Sequence, residues 1–266
     1  AARWARDTAH YLAVLRRGLG PGPRLSVGGF AGAGWWRELD RALAGSLRGA
    51  DVVSGHLYAL PSCSAPTPSM NWLLSRAASH GRVAALAPLE AVARRHHLPL
   101  RVTELNSAAC GGRADLSERF GAALWLADTL FTLQHLGVAQ ADVHTWLHAR
   151  YAPFAVHGNR AVAQPGLVAM RAFARAAPRG SRLAAASVTG SHRVRAWATT
   201  DGLGVTRVAL IARTAVSPTV RVRGQTSCAQ VWLADAARTV THRRLCSPYR
   251  LGLPARSLAV LTFPAR

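Results

Sequence analysis

Through its first 180 residues the chain alternates short apolar runs with longer helical patterns, and that alternation restricts the possible fold more than any other feature. Helical spacing runs over residues 3–19, where Trp4, Tyr11, Leu12 and Leu15 share a face, and the glycines and prolines of 18–23 end it. Apolar runs at 25–30, 52–58, 100–105 and 141–146 read as strands. Helical patterns fall at 35–47, at 71–97 with a break near Pro88, at 117–136 and at 167–177. Phe120, Leu124, Ala127 and Phe131 form the apolar face of an amphipathic helix that Gly137 caps. Loops are expected over 61–69 and 147–164. Strand–helix repetition with short connections calls for a parallel sheet with right-handed crossovers. About four such units are visible, half of what a closed eight-stranded barrel of about 250 residues contains.

After Pro178 the pattern changes. Short alternating runs at 192–199, 206–212, 219–222, 229–233, 240–243 and 257–263 are separated by turn residues such as Gly190-Ser191, Asp201-Gly202 and Gly224. Strands at this spacing predict a β-sandwich. The expected fold class is therefore α/β plus all-β. Residues 1–180 would form a partial (β/α)8 barrel and 181–266 a C-terminal β-sandwich.

Charge asks whether this is a nucleic-acid binder. The net charge is +21, every basic residue is Arg, and the chain has no Lys. That excess favours anionic partners. The arginines are scattered through an Ala- and Arg-rich chain, though, and no compact basic run or nucleic-acid-binding motif stands out. No specific nucleic-acid partner is expected. No apolar run is long and uncharged enough to span a membrane. The chain opens directly in a helical pattern, without an initiator Met or an apolar leader core, which reads as a processed or partial chain. Four cysteines, Cys63, Cys110, Cys228 and Cys246, form no C-x-x-C pair, which argues against a zinc or thioredoxin-like site. They fall into an early and a late pair. Disulfides in an oxidising compartment are one reading and four buried thiols the other.

In a parallel β/α barrel, polar residues at the C-terminal strand ends line the active face. Three strands here end that way: His56 and Tyr58 on one, Glu104 and Asn106 on the next, His144 and Trp146 on the last. Residues two apart share a face. A carboxylate, a phenol, imidazoles and an indole on adjacent strand ends suit a sugar site, where carboxylates do the covalent or acid/base work. Glu104 is the residue of choice, because it follows an apolar strand and the chain has only three other glutamates. Of these, Glu118 suits a helix first turn, and Glu38 and Glu90 read as solvated helix faces. His144 and Trp146 read as packing at the rim, with the indole as the available sugar-stacking ring.

The segments His56-Leu57-Tyr58-Ala59-Leu60-Pro61-Ser62-Cys63 and Thr103-Glu104-Leu105-Asn106-Ser107-Ala108-Ala109-Cys110-Gly111-Gly112 resemble glycoside hydrolase family 79, the family of β-glucuronidases and heparanase. The following stretch, 116–128, is similar to that family's helix after the nucleophile strand. The resemblance implies a (β/α)8 barrel with an appended β-sandwich and hydrolysis of uronic-acid glycosides with retention. It implies that Glu104 is the nucleophile and that His56 and Tyr58 neighbour it, the phenol orienting the carboxylate. It implies that Tyr151, with backbone groups of Gly111 and Gly112, meets the uronate carboxylate. Asn106 and Trp146 complete the candidate substrate-binding set. With Cys63 and Cys110 in loops after neighbouring strands, a disulfide would tie those loops over the site, and Cys228 with Cys246 would staple the sandwich; free thiols are the alternative. The resemblance calls for no cofactor and no metal. The partner is a carbohydrate, a glucuronide or acidic polysaccharide, and the location is secreted or extracytoplasmic.

Two departures matter. Some family members carry a second tyrosine five residues past the nucleophile, where this chain has Ala109. The family's proton donor is the Glu of an Asn-Glu pair ending strand 4, and no such pair occurs here. The helix at 3–19 resembles the one that follows that pair, so strands 1–4 and the acid are expected to precede this sequence and the isolated chain to be inactive. The alternative reading is a non-catalytic carbohydrate-binding or structural remnant.

Overall fold

The computed structural model describes residues 1–30, 33–237 and 239–265. The first helix, α1 (Ala2–Leu19), precedes β1 (Ser26–Phe30), and α2 (Trp36–Ala44) leads to β2 (Val52–Leu60). Next come α3 (Met70–Leu73), a π turn over Ala77–Gly81, α4 (Arg82–Ala84) and α5 (Ala87–Arg95), and then β3 (Leu100–Ala108). Two helices, α6 (Ala114–Ser117) and α7 (Phe120–Leu136), lead to β4 (Gln140–Val143). The four strands form one parallel sheet in the order β1-β2-β3-β4.

The helical stretch expected over 71–97 with a break near Pro88 is broken there, between α4 and α5, and is further divided into short pieces before it. Pro88 sits in the first turn of α5, where its missing N–H is no loss. The loop expected over 147–164 contains a hairpin, β5 (Phe154–His157) paired with β6 (Arg160–Ala163). Its turn is Gly158-Asn159, a short-range hairpin signal, and Gly158 takes a positive φ there. After the hairpin comes α8 (Pro165–Ala176).

The remaining strands are β7 (Arg182–Ala184), β8 (Val194–Thr200), β9 (Thr206–Ala212), β10 (Thr219–Arg221), β11 (Ala229–Ala234), β12 (Val240–Leu245), β13 (Arg250–Gly252) and β14 (Ser257–Phe263). Six of them form an antiparallel sheet, β12-β11-β14-β9-β8-β7, and β10 pairs with β13. Alternation along β14 shows how both faces are buried. Leu258 and Val260 join the large core that runs under α7 and α8, whereas Ala259, Leu261 and Phe263 join a second core with Leu251 and Tyr249.

The long helix α7 is buried all round rather than along one stripe. Every residue from Phe120 to Leu133 is buried, because the parallel sheet, α3, α4, α8 and β9 all pack on it. Each large apolar side chain so buried contributes about 1.5–3 kcal/mol. The exception in kind is Asp128, and its partners show how a carboxylate survives there. Trp197 Nε1 donates to Oδ1 at 2.9 Å and Ser79 Oγ to Oδ2 at 3.0 Å, with Arg195 Nε at 3.8 Å and His80 Nε2 at 3.5 Å. Burial pushes its pKa up, but these donors and charges outweigh it and hold the carboxyl below its ordinary range.

Candidate active site

The parallel sheet sets the site by register. His56 lies opposite Glu104 and Tyr58 opposite Asn106, just past an irregularity at Gly55 in the β2–β3 pairing. The strand ends therefore bring a carboxylate, an imidazole and a phenol together at one edge of the sheet. Tyr58 Oη lies 2.7 Å from Glu104 Oε2 and 2.6 Å from His144 Nδ1. His56 Nδ1 stands 3.4 Å from the same Oε2, and His144 Nδ1 stands 3.7 Å from it. Tyr151 Oη is 3.2 Å from His144 Nδ1.

Proton accounting orders this cluster. Tyr58 has one proton and two close partners. An ionised carboxylate only accepts, so the phenol donates to Glu104 and accepts from His144, whose proton then resides on Nδ1. Burial first, then the hydrogen bond to Glu104 and the charges of Tyr151 and Glu104, push the Tyr58 pKa far above its ordinary value, so it remains a neutral donor. Burial lowers the His56 pKa; the Glu104 charge pulls it back and His144 pushes it down further, which keeps the ring neutral at pH 7. Burial raises the Tyr151 pKa, with Tyr58 and the Gly111 amide acting the other way. Tyr58 donates to Oε2, and His56 and His144 stand near the same oxygen. Among the described residues none donates to Glu104 Oε1, and the Glu104 side chain keeps 31% of its exposure.

The loop after β3 supports one wall. Cys110, Gly111 and Gly112 all take positive φ. A Cβ on Gly111 would stand 3.1 Å from Trp146 Cζ2, and one on Gly112 would stand 2.8 Å from Ser117 Oγ and 3.0 Å from Tyr151 Cδ1. Glycine is required at both positions, by conformation and by space. The Gly112 amide donates to Ala109 O at 3.2 Å, and Gly111 O accepts from the Arg150 amide at 2.7 Å. Cys63 and Cys110 are bonded, with Cα atoms 5.7 Å apart, so the loops after β2 and β3 are tied at this edge. Cys228 and Cys246 are bonded across the start of β11 and the end of β12.

The remaining candidates separate. Tyr151 is buried, 3% exposed, with its hydroxyl toward His144. Trp146 is 45% exposed and meets Tyr151 edge-on at 5.5 Å. Its ring lines an open cleft of about 840 Å³ that reaches Arg119, His148, Phe154 and His157. Asn106 is buried and spent on backbone: Nδ2 donates to His144 O at 2.9 Å and Oδ1 accepts from the Ser107 amide at 2.9 Å. It ties β3 to the segment that carries His144. That histidine is the residue sequence reasoning undervalued. Its place at the end of the fourth strand was visible, but its Nδ1 contacts with two tyrosines come from chain segments far apart. No grouping of three or more metal-ligating side chains occurs among the described residues, and no helix is long and apolar enough to cross a membrane.

No protein-family model and no curated protein sequence matches this chain. Solved structures do match its fold. A 4-O-α-L-rhamnosyl-β-D-glucuronidase from Fusarium oxysporum aligns with TM-score 0.79 at 18% identity, covering 99% of this chain and 65% of that one. An α-L-arabinofuranosidase from Thermotoga maritima gives TM-score 0.69 at 12% identity, over 98% of this chain and 62% of that one. A GH30 endoxylanase from Clostridium papyrosolvens gives 0.59 at 12% identity, over 98% and 61%. This chain thus spans less than two thirds of the length of each. At these identities the likeness is one of fold: a mixed α/β chain, with one parallel sheet and antiparallel sheets, built as these glycoside hydrolases are built.

Proposed function

We propose that this chain is the C-terminal part of a retaining glycoside hydrolase acting on uronic-acid glycosides, related to the β-glucuronidases of family 79, with Glu104 as nucleophile. The observation that carries this reading is the asymmetry of the Glu104 carboxylate. One oxygen is oriented by Tyr58 at 2.7 Å, and the other is free of hydrogen bonds among the described residues. An oriented carboxylate with an open oxygen can attack an anomeric carbon. The other oxygen keeps its donor as negative charge moves off the group.

In this reading residues 1–180 supply half of a (β/α)8 barrel and 181–266 a β-sandwich. The first step forms a bond between Glu104 Oε1 and the anomeric carbon and breaks the glycosidic C–O bond. The departing oxygen needs a proton, and general acid catalysis supplies about 10²–10⁴-fold in rate. Among the described residues, no second carboxylate joins the hydrogen bonds and close contacts of the His56, Tyr58, Glu104 and His144 cluster. The acid is therefore assigned to a carboxyl group outside these residues, about 5–5.5 Å from Glu104 as retention requires. Tyr151 and the Gly111 backbone form the seat for the uronate carboxylate, and Trp146 is the ring against which a sugar face lies. Two disulfides support a secreted or extracytoplasmic location.

The test is trapping. A 2-deoxy-2-fluoro-glucuronosyl fluoride, whose leaving group needs little protonation, should label the full reading frame once, and the adduct should map to the peptide holding Glu104. An adduct on another residue, or full turnover of an aryl glucuronide by Glu104→Gln, overturns the assignment. That no second carboxylate joins the Glu104 cluster among the described residues favours one rival, a carbohydrate-binding remnant. That rival predicts binding of glucuronides by the full reading frame with no turnover at all.

A further inference from the structure

A cavity of about 1000 Å³ lies away from Glu104, where the 71–80 segment and the end of α7 meet β8 and the segment after β9. It shares no lining residue with the Glu104 cluster. Its lining includes Arg76, Arg195 and Arg213 together with His80, His135 and His192, and no Asp or Glu among the described residues. Asp128 is not part of the lining; it accepts hydrogen bonds from Trp197 and Ser79, with His80 and Arg195 at 3.5 and 3.8 Å. Arg195 NH1 lies 2.7 Å from His80 Nε2. Arg213 is fixed by carbonyls, NH1 on Leu74 O at 3.0 Å and NH2 on His192 O at 2.7 Å. Carbonyls orient a guanidinium but do not cancel its charge. Arg195 and Arg76 add repulsion that Asp128 offsets only in part. Both faces of Trp197 are taken, by Phe131 at 5.6 Å and His80 at 5.9 Å, so the cavity has no stacking platform there.

We propose that this cavity is an oxyanion site, holding a carboxylate or sulfate group on the Arg76, Arg195 and Arg213 guanidinium groups. A cleft of one sign with low-dielectric walls concentrates its field, and guanidinium forks match the two oxygens of such a group. The site is independent of the Glu104 reading. Only a saccharide as the source of the oxyanion rests on that reading.

The experiment is calorimetric titration of the whole chain with inorganic sulfate and, separately, with a hexuronate trisaccharide. The wild-type protein should take up one equivalent of at least one probe. Binding of the trisaccharide alone or more tightly identifies a saccharide-borne oxyanion, and binding of sulfate alone identifies a free anion. Arg76 and His192 are exposed lining residues, so Arg76→Glu and His192→Glu should fold and weaken binding about tenfold each. Glu104→Gln should leave it unchanged. Because the whole chain is strongly basic, Arg244→Glu on the exposed face of β12 is the control. Equal weakening by Arg244→Glu, loss of sulfate binding in Glu104→Gln, or no uptake of either probe overturns the proposal.

Discussion

Two carboxylates in this molecule face opposite conditions. Asp128 is 3% exposed in side-chain terms and both of its oxygens accept hydrogen bonds, from an indole and a hydroxyl, with an arginine and a histidine nearby. Glu104 is 31% exposed and, among the described residues, has its close partners on one oxygen. A carboxylate saturated on both sides is a joint: it binds α7 to the π turn and to β8. A carboxylate saturated on one side is poised for chemistry. The lesson is that burial and partner count, read oxygen by oxygen, distinguish the structural acid from the one proposed as nucleophile when both stand among histidines.

The sharpest way to break the comparison is to neutralise each acid. In the full reading frame, Glu104→Gln should lower kcat/KM on an aryl glucuronide by about 10⁴-fold, ~5.5 kcal/mol of transition-state stabilisation, with the urea midpoint nearly unmoved. Asp128→Ala should do the reverse. Removing it strands Trp197 Nε1 and takes the countercharge from Arg195, and breaking such a buried pair costs about 3–5 kcal/mol of folding stability. Urea denaturation of both variants reads this directly. A stable Asp128→Ala protein would show that the joint is not one.

Sequence patterning revealed much of the Glu104 side and little of the Asp128 side, for a physical reason. Glu104, His56 and Tyr58 sit at strand ends, and strand register turns a local pattern into a spatial one. Alternation likewise marked 206–212 and 257–263, where β9 and β14 lie. By contrast, Asp128 meets Trp197 across 69 residues, and Tyr58 meets His144 across 86. No spacing rule reaches that far. The hairpin of β5 and β6 was missed because its runs are four residues each and largely exposed, so burial leaves no imprint on them. Helix α7 looked amphipathic from four of its positions, yet it is encased by elements from both halves of the chain.

The orienting donor comes next in size. Tyr58→Phe keeps the ring and removes the hydroxyl that holds Oε2. In the full reading frame kcat should fall by about 10²-fold, ~2.7 kcal/mol, with KM little changed, because the lost bond acts as charge moves off the carboxylate. A change in KM alone would mean that Tyr58 binds substrate rather than orienting Glu104. Asp128 has no donor of this kind to lose singly, since Trp197 and Ser79 hold different oxygens.

The smallest effect is a slope with pH, and it tests whether His56 is the neutral neighbour that an ionised, attacking Glu104 requires. Burial, the leading influence, places the His56 pKa below the ordinary 6.5 in the folded state. The unfolded chain therefore takes up this proton first as pH falls. Stability is unaffected above about 6.5, declines as pH drops from there toward the folded-state value, and levels off below it. His56→Gln removes that proton from both states, so the difference between wild type and variant in stability against pH should be flat above neutrality and slope only on the acid side. Paired urea titrations between pH 8 and pH 5, at roughly unit steps, measure it. A difference that slopes the other way would mean that the Glu104 charge outweighs burial and His56 is held protonated, which would turn the one-sided carboxylate into an ion pair much like that of Asp128.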